Sequence, residues 1–388
     1  MRFLKSTAIA LGSLVAIGGV GYAIYGNNYD LPSFEVETFE EQDLQSAMQF
    51  IVDESVKGGA PGALIHIRKG EADFTVTAGL ANTQTGQEMP ADAPLRIASV
   101  SKIYTAVVIH TLINQGRLDL DAKLVDLLPS SVLDSVPNAS EASISQLLYH
   151  TSGIPDYYDV RSYLFEDWEQ PISLERMLPH VRRMDATGAP GKSYVYSNTG
   201  YLYLGAVAEA VTGQPLGDLI ANSVSEPLGF DSTYYTVRQV SDEDIHGYGT
   251  YFQPWKDATI YWEHSGPDSG IMAPASEVAQ LLKSLTFEGG ALNTEIGSSM
   301  LEAMVEHTPR QAQGLGIETI TSRTGEMMIG HTGSAFGYKT LAFAIPERDL
   351  VFVAHLNCEC DGMANTLLVN IYRAIVATDG STPQVPSD

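Results

Sequence analysis

A serine and a lysine three residues apart are the first candidates for chemistry in this sequence. Ser99 and Lys102 lie in the run LRIASVSKIYTA, residues 95–106. At the start of a helix, side chains with this spacing share one face and lie one turn apart. A neutral amine in that position can accept the hydroxyl proton and turn the serine into a nucleophile. We therefore predict that Ser99 starts a helix as the nucleophile and that Lys102 is its base.

The base role requires a neutral lysine, and burial is what lowers the pKa of an amine toward neutrality. Lys102 is followed by an apolar run that includes Ile103, Ala106, Val107 and residues 109–112. Such a helix predicts that Lys102 lies in the interior of the protein. Ser-x-x-Lys is by itself a common spacing, and a serine at a helix start beside a surface lysine is the alternative interpretation.

Two further motifs follow in the sequence. Tyr196-Ser197-Asn198 lies within GKSYVYSNTG, residues 191–200, and His331-Thr332-Gly333-Ser334 precedes an alternating strand at 338–345. Each motif has an ordinary structural explanation: a core tyrosine, a helix-capping asparagine or a histidine at a strand end. Their occurrence together and in this order favours a shared site.

The order Ser-x-x-Lys, Tyr-x-Asn, His-x-Gly resembles that of the serine penicillin-recognising superfamily. Its members include class C β-lactamases, DD-carboxypeptidases, and related esterases and D-amino-acid peptidases. The pair Tyr-Ser-Asn and His-Thr-Gly is most similar to the low-molecular-mass DD-peptidase branch, since β-lactamases more usually carry Lys-Thr-Gly. The run LLYHTSGIP at 147–155 agrees, and the resemblance covers about residues 40–375.

The resemblance implies a fold of the α+β class. It is the β-lactamase/transpeptidase-like fold, an antiparallel sheet flanked by helices with an inserted, mostly helical domain. The periodicity is consistent with this, with a helix at 41–57, paired strands at 63–68 and 74–78, and a closing helix at 363–377. Four more strands are expected at 315–320, 327–330, 339–345 and 350–356. The site is expected where the helical part meets the sheet, with His331 at the sheet edge.

The resemblance also implies a role for each site residue. Ser99 attacks a carbonyl, Lys102 takes its proton, and Tyr196, hydrogen-bonded to Lys102, relays it to the leaving group. His331 replaces the family's third-motif lysine and either orients Tyr196 or adds positive charge. The expected substrate-binding residues are Asn198, Thr332, Gly333 and Ser334. Asn198 would hold both the amide side chain of the substrate and Lys102, and the backbone N–H groups of Ser99 and Ser334 would form an oxyanion hole.

Two other places in the sequence repeat these short motifs. Tyr25-Gly26-Asn27 also reads Tyr-x-Asn, but it follows an apolar segment ahead of the domain. His264-Ser265-Gly266 also reads His-x-Gly, but it lies in a polar stretch without a strand pattern. We therefore favour His331, and expect His264 in a loop near the rim of the pocket.

Several other catalytic classes are disfavoured. The sequence contains neither the Gly-x-Ser-x-Gly of α/β-hydrolases nor His-Glu-x-x-His, and its nine histidines are scattered. Gly191-Lys192-Ser193 imitates the end of a phosphate-binding loop, but Ala186 stands where the first glycine is required. We expect no metal, no nucleotide and no other cofactor.

The composition limits the possible partners. The chain has 388 residues, 44% of them apolar, and a formal net charge of −25. Such a charge argues against nucleic acid and anionic membrane surfaces and is typical of an acidic, well-solvated surface. The expected partner is a small peptide, lactam or ester substrate.

The N-terminus carries a localisation signal. Arg2 and Lys5 precede an apolar segment at 7–25, which as a helix would span about 28 Å. Positive charge before it and acidic residues after it predict that the main domain lies on the non-cytoplasmic side, periplasmic or extracellular. No Ala-x-Ala cleavage site lies near the end of the apolar segment, so a single-pass signal anchor is preferred over a cleaved signal peptide.

Together these patterns predict three segments. Residues 1–30 form the signal anchor or signal peptide, 38–377 the serine hydrolase domain with a helical insertion at about 117–285, and 378–388 a flexible tail. Cys358 and Cys360, two positions apart, could close only a small ring, so we expect a pair of thiols.

The sequence leaves the substrate open. One catalytic set on this fold serves peptidases, lactamases and esterases. A location outside the cytoplasm favours cell-wall peptides as the substrate and a DD-carboxypeptidase-like activity. The alternatives are an esterase for small acyl esters and a non-catalytic protein that binds muropeptides, although a binder has no need of a base.

Overall fold

The structure is a computed structural model that describes residues 31–158, 170, 172–235, 241–249, 256–259 and 266–379. The predicted membrane segment at 7–25, the Tyr25-Gly26-Asn27 motif, His264 and residues 380–388 lie outside the described residues. Within the described part, no helix is both long enough and apolar enough to span a bilayer.

Fourteen strands lie within the described residues. In chain order they are β1 Gly62–Lys69, β2 Ala72–Asn82, β3 Gln87–Glu88, β4 Leu95–Arg96, β5 Tyr234–Tyr235, β6 Tyr248–Gly249, β7 Lys256–Asp257, β8 Ile271–Ala273, β9 Val305–Thr308, β10 Gln311–Gln313, β11 Glu318–Thr321, β12 Met327–Ala335, β13 Tyr338–Ile345 and β14 Leu350–Leu356. Nine of them form one antiparallel sheet in the order β3-β2-β1-β14-β13-β12-β11-β10-β9. The first and last parts of the chain meet in this sheet, because β1 pairs with β14.

The described residues contain twelve α-helices. They are α1 Leu44–Lys57, α2 Ser101–Asn114, α3 Leu124–Leu127, α4 Ser130–Leu133, α5 Ile144–Leu148, α6 Leu174–Val181, α7 Asn198–Thr212, α8 Leu216–Ile220, α9 Glu226–Leu228, α10 Ala275–Thr286, α11 Ser298–Leu301 and α12 Asp361–Thr378. Short 3-10 turns cover Val36–Thr38, Ala98–Val100 and Pro346–Arg348, and π-helical turns cover Ala221–Ser225 and Asn293–Gly297.

The nine-stranded sheet separates two apolar cores. Ile65 and Ile67 of β1 and Phe352 of β14 pack toward α1 and α12, whereas Leu64 and Val353 belong to the larger core shared with the helical region. This alternation follows from the two-residue period of a strand, which sends neighbouring side chains to opposite faces. Strands β13 and β14 are buried on both faces, and this explains their nearly continuous apolar sequences.

The predicted α+β fold is confirmed. The predicted helices at 41–57 and 363–377 correspond to α1 and α12, and the predicted strands appear within a few residues of their expected bounds. Strands β9 and β10 were not expected from the sequence, since both are short and largely polar. Most of their residues are exposed or only partly buried, so they carry no apolar run that would mark a strand.

The position of His331 differs from the prediction. It lies on β12, an interior strand between β13 and β11, and not at the edge of the sheet. Pairing of β12 with β11 ends at Gly330, while pairing with β13 continues to Ala335. From His331 onward, one side of β12 therefore makes no strand pairing with β11. This unpaired part of the strand lies close to the turn Ala98–Val100, which contains Ser99.

The expectation of free thiols was wrong. Cys358 and Cys360 form a disulfide directly after β14, and their Cα atoms are 5.4 Å apart. That separation is ordinary for a disulfide. The bend of the chain between the two residues brings the sulfur atoms together, which their spacing in the sequence did not reveal.

Candidate active site

The nucleophile turn, Ala98–Val100, comes immediately before α2, so Ser99 precedes the helix instead of starting it. Ala98 has φ of 49°, a backbone conformation that alanine rarely adopts. Strain of this kind persists only where the surroundings hold the chain in place. β4 supplies part of that support, because its Leu95 pairs with Ala273 of β8.

Lys102 lies in the first turn of α2 and is fully buried. Its Nζ atom is 3.1 Å from Ser99 Oγ, 2.7 Å from Asn198 Oδ1 and 3.1 Å from the backbone oxygen of Asp268. Burial lowers the pKa of Lys102 to about 8, and the carboxylates of Asp268 and Asp156 partly oppose that shift. A lysine with this pKa has a neutral fraction large enough to act as a base near neutral pH. The predicted burial of Lys102 is confirmed.

Tyr196 is partly buried beside the nucleophile. Its ring centroid is 5.0 Å from Lys102 Nζ, and its hydroxyl is near enough to the Ser99 side chain to interact with it. The predicted hydrogen bond between Tyr196 and Lys102 is not formed, since Lys102 Nζ donates to Ser99, Asn198 and the backbone of Asp268. Burial and, after it, the Glu318 carboxylate hold the pKa of Tyr196 well above its usual value, so the side chain is a neutral phenol at pH 7.

His150 packs against Tyr196 and the residue that follows it. Its ring stacks on the Tyr196 ring with centroids 4.3 Å apart, and its Nδ1 accepts the backbone N–H of Ser197 at 3.1 Å. Burial holds the pKa of His150 well below its usual value, which agrees with a neutral ring that accepts at Nδ1. One histidine therefore contacts both the side chain and the backbone of the Tyr-Ser-Asn motif.

Asn198 is the first residue of α7 and links Lys102 to a carboxylate. Besides accepting from Lys102, it donates its backbone N–H to Asp156 Oδ1 at 3.1 Å and its Nδ2–H to Asp156 Oδ2 at 2.9 Å. Burial raises the pKa of Asp156 to about 7, against the lowering effect of the Tyr158 N–H and of Lys102.

The sequence analysis missed Asp156, Asp268, Tyr157 and His150 as site residues. Tyr157 donates its hydroxyl to Asp268 Oδ2 at 3.0 Å, and the Asp268 backbone accepts from Lys102. A signal was present for His150, since it lies within the LLYHTSGIP run that resembles the family, and Asp156 directly follows that run. No sequence pattern connected Asp268 with Lys102.

His331 is buried on β12 and faces Glu318 of β11, with 3.5 Å between Nε2 and Oε1. Its Nδ1 donates to the backbone oxygen of Thr332, and its ring centroid is 6.4 Å from that of Tyr196. Burial lowers the pKa of His331, and Glu318 opposes this. His331 thus lies beside Tyr196, but its nitrogen atoms face Glu318 and Thr332.

Thr332, Gly333 and Ser334, which follow His331 in its motif, lie on the part of β12 that is not paired with β11. Gly333 is in contact with the nucleophile turn, Thr332 is partly exposed and Ser334 is exposed. Lys339, paired with Ser334 across β12 and β13, contacts the Ser334 hydroxyl and also forms an ion pair with Asp361. The structure therefore brings together all the residues predicted from the three motifs. Among the described residues, no group of histidine, cysteine, aspartate or glutamate side chains is arranged to hold a metal ion.

Comparison with known proteins identifies the family. Residues 40–367 match the Beta-lactamase family. The chain is 23% identical to a putative D-alanyl-D-alanine carboxypeptidase of Escherichia coli O157:H7, over 85% of this chain and 86% of the relative. It is 32% identical to Esterase EstB of Burkholderia gladioli, over 42% of this chain and 43% of the relative.

The fold has close structural counterparts. The D-amino acid amidase of Ochrobactrum anthropi SV3, solved with L-phenylalanine amide, superposes with a TM-score of 0.77 at 21% identity, over 87% of this chain and all of the amidase. The chain belongs to the Beta-lactamase family, and it is a serine hydrolase of the β-lactamase and penicillin-binding-protein type.

Proposed function

We propose that this hydrolase acts through a covalent acyl-enzyme on Ser99 and that its activity is DD-carboxypeptidase-like, on peptides that end in D-amino acids. The observation that carries the proposal is the fully buried Lys102, with its Nζ 3.1 Å from Ser99 Oγ and its pKa lowered to about 8. A surface lysine near a serine would have neither property.

Acylation follows from the positions of three side chains. Ser99 Oγ attacks the carbonyl carbon while its proton passes to neutral Lys102. The tetrahedral intermediate collapses as the bond to the leaving group breaks, and Tyr196, a neutral phenol close to Ser99, donates a proton to the departing nitrogen or oxygen. Lys102 returns its proton to Tyr196, and the acyl group remains on Ser99.

Deacylation uses the same groups in reverse. A water molecule gives a proton to the Tyr196 and Lys102 pair as it attacks the ester carbonyl, and Ser99 regains its proton as the carboxylic acid product leaves. By resemblance to the family, the N–H groups of Ser99 and Ser334 stabilise the oxyanion in both steps.

Positive charge beside Ser334 supports a substrate with a free carboxylate. Lys339 is almost fully buried and contacts the Ser334 hydroxyl, and Thr332 is partly exposed on the same strand. A carboxylate next to these hydroxyl groups would meet hydrogen-bond donors and a cation. A terminal D-amino acid carries such a carboxylate, whereas a simple ester does not.

An esterase is the second candidate. It is supported by the similarity to Esterase EstB, which covers less than half of either chain. The catalytic set described above would cleave an ester without change, because the leaving alcohol needs less protonation than an amine.

We further propose that the domain works outside the cytoplasm, held by the apolar segment at 7–25. Full-length protein should then sediment with membranes and be released by detergent. Recovery of a shortened form in the soluble periplasmic fraction would instead indicate a cleaved signal peptide.

Intact-mass spectrometry after exposure to penicillin tests the acyl-enzyme. We expect one persistent adduct on the Ser99 peptide and none in Ser99→Ala, together with release of D-alanine from D-Ala-D-Ala peptides by the wild type only. A rapidly lost adduct with fast cephalosporin hydrolysis would indicate a β-lactamase. No adduct, with fast hydrolysis of p-nitrophenyl esters, would favour the esterase. No adduct and no turnover would indicate a binding protein and overturn the proposal.

A further inference from the structure

The carboxylate of Asp156 accepts three N–H groups, two of them from Asn198. Its Oδ1 accepts the backbone N–H of Asn198 at 3.1 Å and that of Tyr158 at 3.2 Å, and its Oδ2 accepts Asn198 Nδ2–H at 2.9 Å. At a pH above its pKa of about 7, as on the high-pH plateau of activity, Asp156 is ionised, and an ionised carboxylate can only accept hydrogen bonds. The nitrogen of the Asn198 amide must therefore face Asp156, and its oxygen must face Lys102.

That orientation determines where the hydrogen atoms of Lys102 point. Nζ has three neighbours: the side-chain oxygen of Asn198 at 2.7 Å, the backbone oxygen of Asp268 at 3.1 Å and Ser99 Oγ at 3.1 Å. The two carbonyl oxygens can only accept, so they take both hydrogens of the neutral amine. Among the three neighbours, only the Ser99 hydroxyl can donate to the lone pair that remains.

We propose that Asp156 is a positioning residue, which fixes the amide of Asn198 and thereby directs the lone pair of Lys102 at the Ser99 hydroxyl. The inference rests on the proposed acyl-enzyme function of Ser99. Asp156 itself touches neither Ser99 nor Lys102 through a hydrogen bond of its own. Its contribution would pass entirely through Asn198.

Three carboxylates near Lys102 affect its pKa, so the test must separate this effect from the orientation of its lone pair. Asp268, Asp156 and Glu318 face the amine from different parts of the chain, and all three oppose the effect of burial on its pKa. Removing the charge of Asp156 therefore lowers the pKa of Lys102 and increases its neutral fraction. At a pH well above that pKa, Lys102 is neutral in every variant. Activity measured on this plateau therefore reports the orientation of the lone pair and not the protonation of Lys102.

Asp156→Asn is the isosteric variant for this test. The new amide keeps one oxygen for the backbone N–H groups, and its NH2 group then faces Asn198. The Asn198 amide must then turn its oxygen toward residue 156 and its nitrogen toward Lys102. An N–H of Asn198 donates to the lone pair of Lys102, which is then not available to the Ser99 hydroxyl. We expect kcat/KM on p-nitrophenyl acetate, at its high-pH plateau, to fall at least about tenfold, with the rising limb displaced to lower pH.

The double variant Asp156→Asn with Asn198→Asp reverses the polarity of the pair. Asn at 156 then donates to the new carboxylate, whose other oxygen accepts from Lys102 as the wild-type amide does. We expect the plateau to recover by at least about fivefold relative to Asp156→Asn alone. The rising limb should move to higher pH, because a carboxylate now contacts Lys102. p-Nitrophenyl acetate has no amide side chain, so a loss of substrate contacts at position 198 does not enter the comparison.

Glu277→Gln is the matched control. Glu277 also accepts two backbone N–H groups, from Asp231 and Ser232, and the Thr233 hydroxyl, but contacts neither Asn198 nor Lys102. It should leave the plateau within about twofold of wild type. Should Asp156→Asn fail to fold, Asp156→Ser takes its place with the same expected loss.

Two results would overturn the inference. One is a plateau for Asp156→Asn equal to that of the wild type or of Glu277→Gln, and the other is a double variant no better than Asp156→Asn. A wild type with no Ser99-dependent turnover would refute the proposed function itself. Failure of the positioning role of Asp156 can thus be distinguished from failure of the proposed acyl-enzyme function.

Discussion

Gly333 of β12 lies directly against the backbone oxygen of Ile97, at the entrance to the nucleophile turn. A β-carbon at position 333 would be 2.3 Å from that oxygen and 3.3 Å from the Cβ of Ala98. Any side chain here would force the strand and the turn apart. The glycine therefore sets the distance between Ser99 and the free side of β12, where the substrate carbonyl is expected.

Gly333→Ala should damage catalysis more than folding. Displacing the turn by a few tenths of an ångström or more misaligns Ser99 with β12, and we expect kcat/KM to fall about 100-fold. Gly188→Ala is the control, because a β-carbon there meets nothing within 4 Å. Thermal unfolding of both variants separates misalignment from unfolding. Wild-type turnover by Gly333→Ala would contradict the proposed placement of the substrate.

Acylation should depend on pH through Lys102. Burial lowers its pKa to about 8, and the active form is the neutral amine, so kcat/KM should rise as pH increases through 8 and level off above it. At pH 6 the rate should be about one hundredth of the plateau. The measurement is the rate of Ser99 acylation by a penicillin between pH 5 and 10. A profile that is flat between pH 6 and 9 would exclude Lys102 as the base.

Tyr196→Phe and Tyr201→Phe form a matched pair. Both rings lie near Lys102 Nζ, with centroids at 5.0 and 5.3 Å, but of the two hydroxyls only that of Tyr196 interacts with Ser99. The Tyr201 hydroxyl is buried and has no hydrogen-bond partner among the described residues. We expect Tyr196→Phe to slow acylation or deacylation about 100-fold or more, and Tyr201→Phe to keep its activity. Equal effects in stopped-flow assays would mean that the rings matter and the Tyr196 hydroxyl does not.

A truncated chain that begins at Leu31 should fold and retain activity, whereas one that begins at Glu35 should be less stable. Leu31 is buried, and Asn370 of α12 donates to the Pro32 oxygen at 2.9 Å and accepts the Phe34 N–H at 3.0 Å. Losing these contacts should lower the free energy of unfolding by about 3 kcal/mol or more, as measured in urea. Equal stability of the two chains would show that residues 31–34 contribute nothing to the core.

Much of the fold could be predicted from local patterns. The apolar runs in β1, β13 and β14 and the helical periodicity of α1 and α12 depend on residues near one another in sequence, so their positions were found within a few residues. The polar strands β9 and β10 were missed because an edge strand that faces solvent has no apolar run. The disulfide was missed for a related reason, since it depends on the bend between the cysteines.

The positions of Ser99, Lys102 and the two later motifs were also readable, because each motif is a short run of chemically distinctive residues. Their hydrogen bonds were readable only in part. The expected contact of Lys102 with Asn198 is observed, whereas the expected bond between Lys102 and Tyr196 is not formed and Lys102 donates instead to the backbone oxygen of Asp268. Only packing decides which of several nearby partners a buried donor reaches.

The sequence by itself determined which residues can do chemistry, since the order and spacing of Ser99, Lys102, Tyr196 and His331 are properties of the chain. The tertiary structure decided how well they do it. The full burial that lowers the pKa of Lys102 comes from packing of the helical region around α2, and the carboxylates that oppose it, Asp156 and Asp268, lie 54 and 166 positions farther along the chain. Desolvation and through-space charge depend on distances that no local pattern encodes.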